Sequence, residues 1–146
     1  MPVADIAASG ARMSTWALEN FGATGLRLED HSGLGYGSSI SALGMTRILR
    51  ANAGIEVLLK DVEMNAPKGV RARAKTGTLN FVSSLAGFID TRTGRKLCFA
   101  IFTADQERRD GIPPEQQENP PGARAWARRS RGLQKELILN WAERFA

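Results

Sequence analysis

Residues 70–103 constrain the fold more than any other part of the chain. Over 70–79, small apolar residues alternate with basic ones, the period-two pattern of a strand with one face buried. Residues 81–89 follow after almost no interval, so the two segments can pair only as antiparallel neighbours. "DTRTGRK" then has the composition of a hairpin turn in which Gly94 takes a positive φ. Residues 96–103 are a nearly continuous apolar run, which predicts a central strand covered on both faces. Three strands joined this closely make an antiparallel meander.

Helical patterns precede and follow the meander. Val3, Ile6, Ala7, Gly10, Met13 and Ala17 recur at intervals of three and four, predicting a helix over about 2–20. Pro2 suits its first turn and Gly22 its stop. "LRLED" alternates briefly, as a short strand would. After the glycine-rich "HSGLGYGSS", Ser41 caps a helix whose apolar face is Ala42, Met45, Ile48 and Leu49. A second short helix holds Ile55, Val57, Leu58 and Leu59. Residues 105–122 are polar, carry four of the six prolines and predict a long loop. Trp126, Leu133, Leu137, Ile138, Trp141 and Phe145 form the apolar stripe of a C-terminal helix.

The fold class is therefore α+β, an antiparallel sheet with N- and C-terminal helices. With 146 residues, 42% hydrophobic and 24% charged, the chain suits one domain with a real core. Its helical part spans about 1–65; the sheet and C-terminal helix span about 66–146. The lone Cys98 cannot form an internal disulfide and reads as a small buried apolar residue. The net charge of +5 permits contact with nucleic acid or an anionic surface without requiring it. No apolar run reaches transmembrane length, and the first residues lack the pattern of a secretory signal.

Within the first strand of the meander, "RAKTGTL" sets a cation, two hydroxyls and a glycine in a row. Alternation puts Lys75 and Gly77 on one face and Thr76 and Thr78 on the other. Both sets reach one cleft only if this is an edge strand. Downstream stands Leu85-Ala86-Gly87-Phe88. Upstream, in "LEDHSGL", stand Asp30, Ser32, Gly33 and Leu34.

This combination resembles the serine-type D-alanyl-D-alanine carboxypeptidases/endopeptidases, the class C low-molecular-mass penicillin-binding proteins. That family has a loop of the form Asp-Gly-Ser-Gly-Leu, a strand Lys-Thr-Gly-Ser/Thr-Leu, then Leu-Ala-Gly-Phe/Tyr. Here His31 stands where the loop's first glycine is usual. The resemblance is firmest over 26–102. It implies part of a penicillin-binding-protein/β-lactamase-like transpeptidase fold and a serine acyl-enzyme acting on peptidoglycan. It makes Lys75 the catalytic cation, and Thr76 and Thr78 the hydroxyls for the substrate's terminal carboxylate. Gly77 permits close approach of the substrate backbone, and the Thr78 N–H is one oxyanion donor. Ser32 and Gly33 become a loop beside the cleft. The resemblance implies no metal and no organic cofactor. Its partners would be peptidoglycan stem peptides, and β-lactams in the complete enzyme, in the periplasm or otherwise outside the cytoplasm.

The residues for the rest of that chemistry are absent from these 146. No serine is followed three places later by lysine, and Ser-x-Asn does not occur. The resemblance puts both motifs N-terminal to the Ser-Gly-Leu loop, so the chain reads as the C-terminal part of such an enzyme. Without the nucleophile it is expected to be inactive alone, and to be marginally stable. Two further readings stand beside this one: a non-catalytic module holding peptidoglycan peptides, and a small basic nucleic-acid-binding domain.

Other features read plainly. "GLGYGSS" lacks the spacing of a phosphate loop. His31 is the sole histidine, which leaves no His-based triad and no multi-histidine metal site. Nothing sets a base beside Ser32. Arg124, Arg128, Arg129, Arg131, Lys135 and Arg144 read as the solvated face of the C-terminal helix rather than a nucleic-acid surface, with Trp126 and Trp141 in the core.

Overall fold

The computed structural model describes residues 5–32 and 35–146. The chain divides into two compact units, Met1–Gly54 and Ile55–Ala146.

In the first unit, α1 (Ile6–Phe21) starts where the Asp5 carboxylate accepts the Ala8 N–H at 2.7 Å, and it ends at Gly22 with φ of 60°. Pro2 and Val3 lie outside the described residues. The expected apolar stripe is only partly buried. Gly10 and Ala17 are enclosed, whereas Ile6 and Met13 are exposed. The reason is how closely the chain returns: a Cβ at Gly10 would meet Leu28 O at 2.7 Å and Asp30 N at 2.8 Å. Ser14 fastens the same contact, donating to Gly10 O and accepting the Leu28 N–H. The brief alternation of "LRLED" yields a single antiparallel bridge, Arg27 to Ser39, rather than a strand. Helix α2 (Ala42–Ala51) is capped by Ser41 as expected, its hydroxyl accepting from Gly44 N at 3.0 Å.

The second unit begins within a 3-10 helix, Ala53–Leu58, and holds a four-stranded antiparallel sheet. The strands are β1 (Lys60–Asp61), β2 (Arg71–Leu79), β3 (Val82–Asp90) and β4 (Lys96–Ala104), side by side in chain order. The meander is the expected one, with β1 added outside it. Gly94, at φ of 83°, turns β3 into β4. Between β2 and β3 the turn is only Asn80 and Phe81, and Phe81 takes a left-handed φ of 56° while its ring is buried. That ring is held edge-on to Trp126 at 6.2 Å, and the Phe81 carbonyl accepts the Asp105 N–H.

β4 is the outermost strand and not, as its apolar run suggests, a central one. Phe99 and Ile101 are buried, Cys98 and Ala100 are half-buried, and Phe102 is exposed. The apolar run reflects one covered face and one partly covered face. For the same reason Cys98 is half-buried rather than fully enclosed. β3, paired on both sides, is the most enclosed strand.

Residues 105–122 hold two short helical turns, α3 (Gln106–Asp110) and a 3-10 turn at Pro114–Gln116. Then α4 (Ala123–Arg144) lies across the sheet. Its buried face is Ala123, Ala127, Ser130, Gln134, Ile138 and Ala142, so of the bulky stripe expected from sequence only Ile138 is fully enclosed. Small residues let the helix sit close on the strands. Trp141 and Leu137 then fill in beside it, while Leu133 and Phe145 stay exposed. The core is Ala72, Ala74, Leu85, Ile89, Phe99 and Ile101 from the sheet, closed by Ile138 and Ala142. Fully burying one of its leucine, isoleucine or phenylalanine side chains contributes about 1.5–3 kcal/mol.

Candidate functional site

The site starts from the mismatch in length between β1 and β2. β1 pairs only with Arg73 and Ala74, and Val62 N–H extends the contact to Ala72 O at 2.9 Å. β3 pairs with all nine residues of β2. Among the described residues, then, β2 beyond Ala74 has a strand partner on one side alone. Lys75, Thr76, Gly77, Thr78 and Leu79 form an open sheet edge, the condition for both faces of the motif to reach one cleft.

Parity decides what that edge offers. Ala72 turns its carbonyl toward β1, so Ala74, Thr76 and Thr78 turn their main-chain groups the same way. The two-residue turn agrees: Leu79 and Val82 face each other as its closing pair, which commits Gly77 and Lys75 to the β3 ladder. Thr76 and Thr78 thus present N–H and C=O groups at the open edge, with exposed side chains. Lys75 lies on the opposite face, yet its Nζ reaches round to donate to Thr76 O at 2.6 Å. One outward carbonyl is thereby taken, and a positive charge sits at the edge.

Gly77 is smaller than its neighbours for a visible reason. A Cβ there would lie 2.4 Å from Ser84 Oγ, which donates to the Gly77 carbonyl. Gly87 is more tightly constrained, because a Cβ would fall 2.0 Å from Arg73 O and 2.7 Å from Ala74 Cα.

A groove of about 510 Å³ opens on the α4 side of this edge. Thr76, Thr78 and Lys75 line it from β2, and Lys60, Asp61 and Glu63 from the β1 segment. Arg131, Gln134 and Lys135 line it from α4. Gln134 is almost wholly buried and donates to Ser83 Oγ at 3.0 Å; Thr103 Oγ1 donates to Ser83 O and shares a hydrogen bond of 3.1 Å with Ser130 Oγ. These bonds fix α4 against the strands beside the groove. Asp61 is turned to Arg71, which grips it through two bonds of 2.7 and 2.9 Å, with Arg73 3.5 Å away. The Arg71 hydrogen bonds, and the charges of both arginines, hold the Asp61 carboxyl below the usual carboxylate range. Farther along the sheet, Lys96 bridges Glu56 and Asp90, and the bond to Glu56 raises its pKa above the ordinary lysine value.

The expected site residues are distributed as follows. Lys75, Thr76, Gly77 and Thr78 are together at the edge, in the second unit. Ser32 belongs to the first unit, in a tight turn where its N–H and hydroxyl both donate to Asp30 Oδ1 at 2.8 Å. Gly33 lies outside the described residues. Arg131, Gln134 and Lys135 went unrecognised as groove residues. In sequence the two cations are indistinguishable from a solvated helix face, and only the seating of α4 brings them to β2.

The chain thus folds as α+β, with a four-stranded antiparallel sheet and flanking helices. Residues 59–119, which take in the whole sheet, match the D-Ala-D-Ala carboxypeptidase 3 (S13) family. This chain resembles that family of cell-wall peptidases over less than half its length, and the match is consistent with part of a penicillin-binding-protein-like fold. No curated protein matches the chain. Among the described residues, no helix is long and apolar enough to cross a membrane.

Proposed function

We propose that the open edge of β2 binds the C-terminal carboxylate of D-alanyl-D-alanine peptides, as one wall of a serine-type carboxypeptidase/endopeptidase site for peptidoglycan. The observation that carries this reading is the half of β2 from Lys75 to Leu79, open on the side away from β3 and facing a groove beside a lysine and two threonine hydroxyls. An extended peptide adds to such an edge as another strand, through main-chain hydrogen bonds. In that pose Thr76 and Thr78 hydroxyls bind the carboxylate, and the Thr78 N–H faces the carbonyl under attack. Lys75 supplies the positive charge, a charge-assisted interaction stronger than a neutral hydrogen bond. The substrate sets the setting: peptidoglycan lies outside the cytoplasm, in the periplasm where there is one.

A second reading differs only in turnover. These 146 residues hold neither Ser-x-x-Lys nor Ser-x-Asn, which favours holding stem peptides without cleaving them. A titration of the isotopically labelled chain with N-acetyl-Lys-D-Ala-D-Ala tests the site itself. Shifts confined to 74–80, lost in Lys75→Ala and Thr78→Val and absent with the C-terminal amide, are expected. Equal binding of acid and amide sinks the proposal. Incubation with benzylpenicillin followed by intact-mass measurement separates the two readings: a stoichiometric adduct excludes the second.

A further inference from the structure

The groove does not stop at Thr78. It runs on past the β2–β3 turn as a trough of about 610 Å³, lined by Leu79 and Asn80 from the strand end and by Arg124 and Arg128 from α4. Thr78 and Arg131 line both stretches, so the two are continuous. Along α4, Arg124, Arg128, Arg131 and Lys135 follow one another at intervals of four, three and four, which stacks them on one face. Like charges at this spacing destabilise a helix. No ion pair or side-chain hydrogen bond to a described residue relieves these four. In the trough itself three arginines face one acid, Glu118. An unrelieved row of cations beside an open sheet edge is complementary to an anionic strand lying along that edge.

We infer that the trough is a second anion subsite, which takes a side-chain carboxylate of the same extended peptide whose C-terminus sits at Thr76 and Thr78. The inference rests on the edge-binding reading above and adds the chemistry of the ligand. An antiparallel ligand strand with its C-terminus at Thr76 runs back toward Leu79 and Asn80, where Arg124 and Arg128 wait. From Arg131 to Arg124 the helix advances roughly 10 Å at 1.5 Å per residue. An extended peptide covers that distance in about three residues. The preferred ligand is therefore an acidic peptide with its second carboxylate about three residues before the terminal one.

Two peptides test this, N-acetyl-Glu-Gly-D-Ala-D-Ala and its Gln counterpart, with affinity measured by calorimetry at low salt. The wild-type chain is expected to bind the Glu peptide about tenfold more tightly, as removal of exposed charge-assisted contacts implies. Arg124→Gln with Arg128→Gln should erase that preference, whereas Thr78→Val should weaken both peptides and preserve their ratio. Equal wild-type affinities overturn the subsite and leave the edge-binding reading standing, a result that needs no variant to fold. A preference that survives the double arginine change also overturns it. If neither peptide binds, both readings fall. If single-stranded oligonucleotide displaces the Glu peptide at far lower concentration through the same arginines, the row serves phosphate and the inference fails.

Discussion

Ser84 stands across the β2–β3 ladder from Gly77, and its hydroxyl fills the place that a side chain at 77 would take. The obstruction is the end of a side chain and not backbone. Gly77→Ala should therefore cost only about 1–2 kcal/mol, from a displaced hydroxyl and its lost hydrogen bond. Adding Ser84→Ala should recover about 1 kcal/mol of it, because the remaining Ser84 Cβ lies 3.8 Å away, an ordinary contact. A double-mutant cycle on urea midpoints reads the coupling. Strict additivity would show that Ser84 does not set the size of residue 77.

Gly87 answers differently. Its missing Cβ would strike the backbone of Arg73 and Ala74, which no rotamer can move. Gly87→Ala should cost more than about 3 kcal/mol, by prising β2 from β3 next to the motif strand. Neighbouring side-chain truncations should not rescue it. A thermal midpoint within a few degrees of wild type would contradict the close approach.

These two glycines show how much was legible beforehand. The meander, its turn at Gly94 and the caps at Ser41 and Gly22 were readable because strand period and turn chemistry are local. The Lys75–Thr78 strand is readable as a motif, and its alternation shows that both faces need an open edge. That β1 would stop short at Ala74 and leave the edge open was not legible, since a two-residue strand has no period to detect. β4 misled because an apolar run reports hydrophobicity and not how many sides a strand is paired on. α4 misled because its bulky stripe drew attention from the small residues that set its contact face, and so from Arg131, Gln134 and Lys135 beside the groove.

Gln134 and Ser83 form a buried polar contact between α4 and β3. Gln134→Ala should lower stability by about 2–3 kcal/mol, from the lost packing and from a serine hydroxyl left without its donor. Gln134→Met with Ser83→Ala should cost less than the sum of the single changes, since both polar partners go together. Chemical denaturation of the four proteins measures this, and full additivity would argue against the contact.

Acid should weaken the β1–β2 contact only as Asp61 takes up its proton, below the ordinary carboxylate range. Arg71 and Arg73 hold the Asp61 pKa below its unfolded value. A depressed carboxylate contributes stability that is present above the unfolded pKa, about 3.9, and is lost as pH falls through the folded value. Carbon-detected titration of the Asp61 carboxyl should give a midpoint below the ordinary range, and Arg71→Gln should move it upward. The site is exposed, so raising the salt should shrink the shift. A midpoint unchanged by Arg71→Gln would remove that arginine as the cause.

The open edge itself has an alternating signature. Lys75, Gly77 and Leu79 direct their amides into the β3 ladder, whereas Thr76 and Thr78 direct theirs outward. Amide exchange should therefore be slow at 75, 77 and 79 and fast at 76 and 78. At Arg73 and Ala74, where β1 closes the other side, both parities should be protected. N-acetyl-Lys-D-Ala-D-Ala should slow exchange at Thr76 and Thr78 while leaving the ladder amides as they were, because a ligand strand can reach only the outward groups. Uniform protection from 75 to 79 in the free chain would mean that the edge is already covered, and protection that appears only at the odd positions would reverse the register from which the site is built.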